Sequence, residues 1–130
     1  MAEAELAEYK RHWRERAERE AARRCELATR ARSEARRVAH MLVHEFGASR
    51  VYLFGSLVQD DRFHERSDID LAVEGIAPER FFKVWAAVGA HSDVPIELVD
   101  LDEVGELMRT LILQYGELLC DADTDRATDC

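Results

Sequence analysis

Polar and apolar positions divide the chain into seven pattern blocks. Residues 3–46 contain no Gly or Pro and are rich in Ala, Glu, Arg and Leu, the strongest helix formers. Leu6, Tyr9, Trp13 and Ala17 recur at helical spacing, as do Ala31, Ala35, Val38, Leu42 and Phe46, so the block predicts one long helix, with or without a central break, that stops at Gly47. The run Arg50–Phe54 and the alternating Asp68–Glu74 read as strands. Pro78 suits the first turn of a helix over 78–90 with Phe81, Phe82, Trp85 and Val88 on one side. Pro95–Val99 is a third strand. Asp102 is the expected N-cap of a last helix to Tyr115, which should bury Val104, Leu107, Met108, Leu111 and Ile112. Glu117–Cys120 reads as a short edge strand. The fold class is therefore α/β (α+β): a small mixed sheet with flanking helices behind a long N-terminal helix.

Three regions follow. Residues 1–47 form the helix, 48–121 the domain, and 122–130 an acidic tail expected to lack order. The helix either folds back on its own sheet or stands out as a docking or homo-oligomerisation arm. Its pattern does not choose between them.

Composition narrows the function. A chain of 130 residues suits one core. It has no apolar run of membrane-span length and no apolar leader, and its three widely spaced cysteines read as reduced thiols. A cytoplasmic protein is expected. Net charge is −9, but residues 1–50 carry +3 and residues 51–130 carry −12. So acidic a domain excludes general nucleic-acid binding, which needs clustered Lys and Arg, and suits one that gathers cations.

The candidate chemistry sits at the strand ends. Gly55-Ser56 follows the first strand. Glycine admits a ligand close to the backbone, and a serine opening a helix offers a phosphate its hydroxyl and N–H groups. Asp68 and Asp70 lie one residue apart on the second strand, hence on one face. Like charges held that close call for a cation between them. Glu97 on the third strand completes the set if the two strands are neighbours. Asp100 is the competing third carboxylate, but strand parity puts it on the other face. Three carboxylates make a hard-oxygen site for Mg²⁺ or Mn²⁺, and two such ions can clamp an in-line phosphoryl displacement. Arg62, His64 and Arg66 are the nearby cations that can reach phosphate oxygens. His40 and His44, four apart, read as helix-surface residues.

Phe54-Gly55-Ser56, Ser67-Asp68-Ile69-Asp70-Leu71, Ile96-Glu97-Leu98-Val99-Asp100-Leu101 and Tyr115-Gly116-Glu117-Leu118-Leu119 together resemble the minimal nucleotidyltransferase (MNT) family of the DNA polymerase beta superfamily. The resemblance covers about Val51–Cys120. It implies transfer of AMP from ATP with release of pyrophosphate, Gly55 and Ser56 holding the phosphates, and Asp68, Asp70 and Glu97 holding two Mg²⁺ ions. Glu97 would also align or deprotonate the acceptor hydroxyl. Many MNT proteins are antitoxins of HEPN-domain ribonuclease toxins, so the resemblance implies a toxin tyrosine as acceptor. The alternatives are an antitoxin that acts by binding only and, third, a nucleotidyltransferase for aminoglycoside-like small molecules. Three positions depart from the family pattern: Gln59 stands where Arg is usual, Asp60 where Gly is usual, and Glu97 where Asp is more usual.

Overall fold

The computed structural model describes residues 2–59 and 62–124. The long helix, α1, runs unbroken over Glu3–His44, 42 residues, about 63 Å at the rise of an α-helix. β1 spans Arg50–Phe54, and a 3-10 turn covers Gly55–Leu57. β2 follows over Ile69–Glu74, α2 over Pro78–Ala90 and β3 over Ile96–Asp100. α3 occupies Glu106–Tyr115 and β4 Glu117–Asp121. A further 3-10 turn takes Ala122–Thr124. The rest of the expected disordered tail lies outside the described residues.

The sheet order is β3-β2-β1-β4. β1 pairs antiparallel with both β2 and β4, while β2 and β3 are parallel, joined through α2. A parallel pair needs such a crossover, and the helix that supplies it covers the sheet. Alternation then gives the sheet two different faces. Val51 and Leu53 of β1, Ile69, Leu71 and Val73 of β2, and Ile96 and Leu98 of β3 point into the main core, against α1 and α2. The opposite face carries Ala72, Tyr52, Phe54 and Val99 in a small second core closed by Leu101 and Ile112.

α1 serves two purposes along its length. From Ala28 onward it buries Ala31, Ala35, Val38, Ala39, Leu42 and Val43. The small alanines let the helix lie close on the sheet. Residues 2–26 are exposed throughout, with Tyr9 54% and Trp13 51% accessible. The first stripe therefore does not fold back on the sheet. It stands clear of the domain, tied near its base by the Arg23–Glu65 ion pair.

Four expectations need correction. Asp102 does not cap α3, because the N-cap is Gly105. Its carboxylate instead accepts the Gly75 N–H at 3.0 Å. Of the apolar residues expected in the core from α3, only Ile112 is buried, while Leu107 is 73% exposed. On α2, Phe82 is exposed and Val84 takes the core position beside Phe81 and Val88. Finally, Cys25 is a free thiol but Cys120 is in a disulfide, so the cysteines are not all reduced. No described helix is long and apolar enough to cross a membrane.

Candidate active site

β1 ends at Phe54, whose Cα partner across the antiparallel pair is Asp70. The next residue, Gly55, turns with φ +79°. This is a left-handed conformation that disfavours a side chain. A Cβ built there would stand 2.1 Å from Asp70 Oδ2. The glycine thus does two things: it turns the chain and it leaves room for the Asp70 carboxylate against the turn.

Ser56 sits within a single 3-10 turn, Gly55–Leu57, the turn of the two forms, short helix or turn, that the sequence allows here. Val58 N–H donates to the Gly55 carbonyl at 3.2 Å and Gln59 N–H to the Ser56 carbonyl at 3.1 Å. A turn this short has no macrodipole of consequence, so any anion site here rests on the Gly55 backbone and the Ser56 hydroxyl.

β2 and β3 set the carboxylates. Asp70 and Glu97 are Cα partners on the parallel pair, so their side chains share the sheet face away from the main core. Asp68 lies two residues before Asp70, just ahead of the strand. A tight turn delivers it: the His64 N–H donates to Ser67 Oγ at 3.0 Å, and the Ser67 N–H to the His64 carbonyl at 2.9 Å. Phe63 is buried and anchors this loop. Burial, then Asp68, then Glu97 push the Asp70 carboxyl up from 3.8 to about 6. Two like-charged neighbours disfavour its ionised form, and a cation between them would relieve that.

Asp100 belongs to other work. It partners Val73 across the pair, three residues from Glu97 and on the opposite parity. Its Oδ1 accepts the Asp102 N–H at 3.0 Å, which shapes the turn leading to α3.

An all-oxygen donor set of this kind suits a hard divalent cation. Asp68 and Glu97 are both near enough to Asp70 to act on its charge. The three are not drawn into a coordination sphere: among the described residues, no group of three or more His, Cys, Asp or Glu stands ready to hold a metal ion.

Beside Gly55 lies a cavity of about 500 Å³. Gly55, Ser56, Gln59 and Arg62 form one side, and Met108, Leu111 and Tyr115 of α3 the other. Among the described residues of its lining, Arg62 is the only charged side chain. The structure therefore separates the three loop cations that the sequence grouped. His64 and Arg66 line hollows against α1 together with Leu27. His40 and His44 sit on the outside of α1 with ring centroids 4.1 Å apart. The sequence missed the α3 wall. Met108, Leu111 and Tyr115 show ordinary core spacing, and only the Tyr-Gly pair that ends the helix marked it as unusual.

A mixed sheet with a Gly-Ser turn and carboxylates on neighbouring strands is the framework of a nucleotidyltransferase-type α/β domain. Residues 37–125 match the family model "Polymerase beta, Nucleotidyltransferase", and the chain belongs to that family. Solved structures share the fold. A toxin–antitoxin crystal structure with AMP-PNP is 23% identical, with TM-score 0.58 over 69% of this chain and 76% of that one. The tri-AMPylated Shewanella oneidensis HEPN toxin in complex with MNT antitoxin is 19% identical, with TM-score 0.55 over 73% and 76%. A MntA–HepT toxin–antitoxin structure is 19% identical, with TM-score 0.54 over 72% and 75%. No curated protein matches the chain at a significant level.

Proposed function

We propose that this chain is a cytoplasmic MNT antitoxin that transfers AMP from ATP to a protein hydroxyl, a tyrosine of a cognate HEPN ribonuclease toxin. The observation that carries the reading is the Asp70–Glu97 rung set against Gly55, with Asp70 raised to about 6. The match to the nucleotidyltransferase family supports the reaction class. The AMP-PNP complex and the AMPylated toxin among structures of the same fold support the nucleotide and the acceptor.

In this reading Asp68 and Asp70 would hold two Mg²⁺ ions, with Glu97 as the third carboxylate ligand. Bound Mg²⁺ supplies charge neutralisation on the triphosphate and orients the reacting oxygens. Gly55 and Ser56 hold the phosphates, with Arg62 beside them. Glu97 aligns the tyrosine hydroxyl and takes its proton. The tyrosine oxygen forms a bond to the α-phosphorus, the bond from that phosphorus to the bridging oxygen breaks, and pyrophosphate leaves. The protein's share is positioning and electrostatics.

The test is to incubate the protein with Mg²⁺, α-labelled ATP and the HEPN partner, and to look for label on the partner. Label is expected with the wild type and not with Asp68→Asn, which should fold normally. Retained labelling by that variant would refute the assignment. A second reading, neutralisation by binding alone, is favoured by the exposed N-terminal half of α1 with Leu6, Tyr9 and Trp13. Removing residues 2–18 would then abolish the complex while nucleotide binding survives.

A further inference from the structure

We infer that the cavity between the Gly55–Leu57 turn and α3 holds the nucleotide lengthwise, with the nucleobase packed on Met108, Leu111 and Tyr115 and without readout of the base edge. The inference rests on the nucleotidyltransferase reading and adds to it where the base lies and how selective the site is.

The cavity has two chemically distinct ends. Gly55, Ser56 and Arg62 give a backbone approach, a hydroxyl and a cation, which suit phosphate. Opposite them, Met108, Leu111, Ile112 and Tyr115 recur at spacings of three, one and three residues along α3. Such a stripe ordinarily packs into a core. Here only Ile112 is buried, and Tyr115 is 68% exposed. The stripe lines the cavity instead, so its apolar surface is open to a ligand. About 500 Å³ lies within the ~300–1,000 Å³ typical of small-ligand sites.

The lining limits selectivity. Thioether, leucine and tyrosine-ring surfaces accept any base, since every base has a π-face. With Ser56 and Arg62 given to the phosphates, the Gln59 amide and the Tyr115 hydroxyl are the remaining side chains among the described lining residues able to hydrogen-bond to a base edge. Strong discrimination needs buried, dedicated hydrogen-bonding groups, and both residues are exposed. ATP and GTP should therefore bind within several-fold of each other.

The experiment is calorimetric titration of the full chain in Mg²⁺ with ATP, GTP and inorganic tripolyphosphate. Wild type, Tyr115→Ala, Tyr115→Phe and Met108→Ala are compared, with thermal melts confirming that each folds. The expected results are tighter binding of ATP than of tripolyphosphate, and an approximately tenfold loss of both nucleotides in Tyr115→Ala, the scale of one base–aromatic stack. Tyr115→Phe should restore binding, and tripolyphosphate should bind all four proteins alike. Equal affinity of the wild type for ATP and tripolyphosphate would overturn the inference. So would unchanged ATP binding in both alanine variants, an equal loss of tripolyphosphate, or a hundredfold preference for one purine. Any of these leaves the transfer reading standing, because that reading is judged on Asp68→Asn. Failure of the wild type to bind any of the three ligands would remove both.

Discussion

Asp70 and Glu97 face each other across the parallel β2–β3 pair, on the sheet face that turns away from the main core. Burial first, and then the charges of Asp68 and Glu97, raise the Asp70 carboxyl from its ordinary 3.8 to about 6. The folded protein then keeps a proton at pH values where the unfolded chain has lost it. Stability is full below about pH 4 for this group and is lost as pH climbs through 6. Asp70→Asn carries no such penalty. It should melt a few degrees above the wild type at pH 8 without metal, and the gap should close by pH 4. Added Mg²⁺ should raise the wild-type melting point at pH 8 and leave Asp70→Asn unmoved. A gap that does not vary with pH would show that the three carboxylates do not interact.

Gly55 is required twice, by its φ of +79° and by the Asp70 oxygen 2.1 Å from any added Cβ. Gly55→Ala should cost about 2 kcal/mol from the left-handed backbone alone. The melting point should fall by several degrees, and nucleotide binding should weaken with it as Asp70 is displaced. A melt unchanged from the wild type would contradict this account of the turn.

The two halves of α1 should behave as different materials. Deleting residues 2–18 removes only exposed side chains and should leave the melting temperature within a degree or two. Leu42→Ala, at a fully buried position, should cost about 2–5 kcal/mol. Equal effects would mean that the first half packs on the domain after all.

Trp85 secures the edge strand that bears Glu97. Its Nε1 donates to the Ile96 carbonyl at 2.8 Å. Trp85→Phe keeps most of the ring and strands that acceptor, so a loss of about 1–2 kcal/mol is expected in denaturant titration. No loss would assign the strand's position to packing alone.

Much of this architecture was legible because period and punctuation agreed. Arg50–Phe54 and Pro78–Ala90 fall where alternation and the N-terminal proline put them. Parity alone set Glu97 and Asp100 on opposite faces. What the sequence hid was tertiary. Met108, Leu111 and Tyr115 have core spacing, and only the packed sheet reveals that they border a cavity. Arg62, His64 and Arg66 look equivalent along the chain, yet the buried Phe63 fixes a loop that sends the first to the cavity and the others toward α1. Asp102 resembled a helix cap because the turn binding it to Gly75 is formed by residues 27 apart.

The central claim is that Asp68, Asp70 and Glu97 hold a common divalent cation beside the Gly55 turn. A crystal grown with Mn²⁺ and a non-hydrolysable ATP analogue, read by anomalous diffraction, tests it most directly. The account predicts a manganese peak ligated by oxygens of all three carboxylates and by the nucleotide's phosphates. Manganese bound elsewhere, or by Asp70 without Asp68 and Glu97, would contradict it.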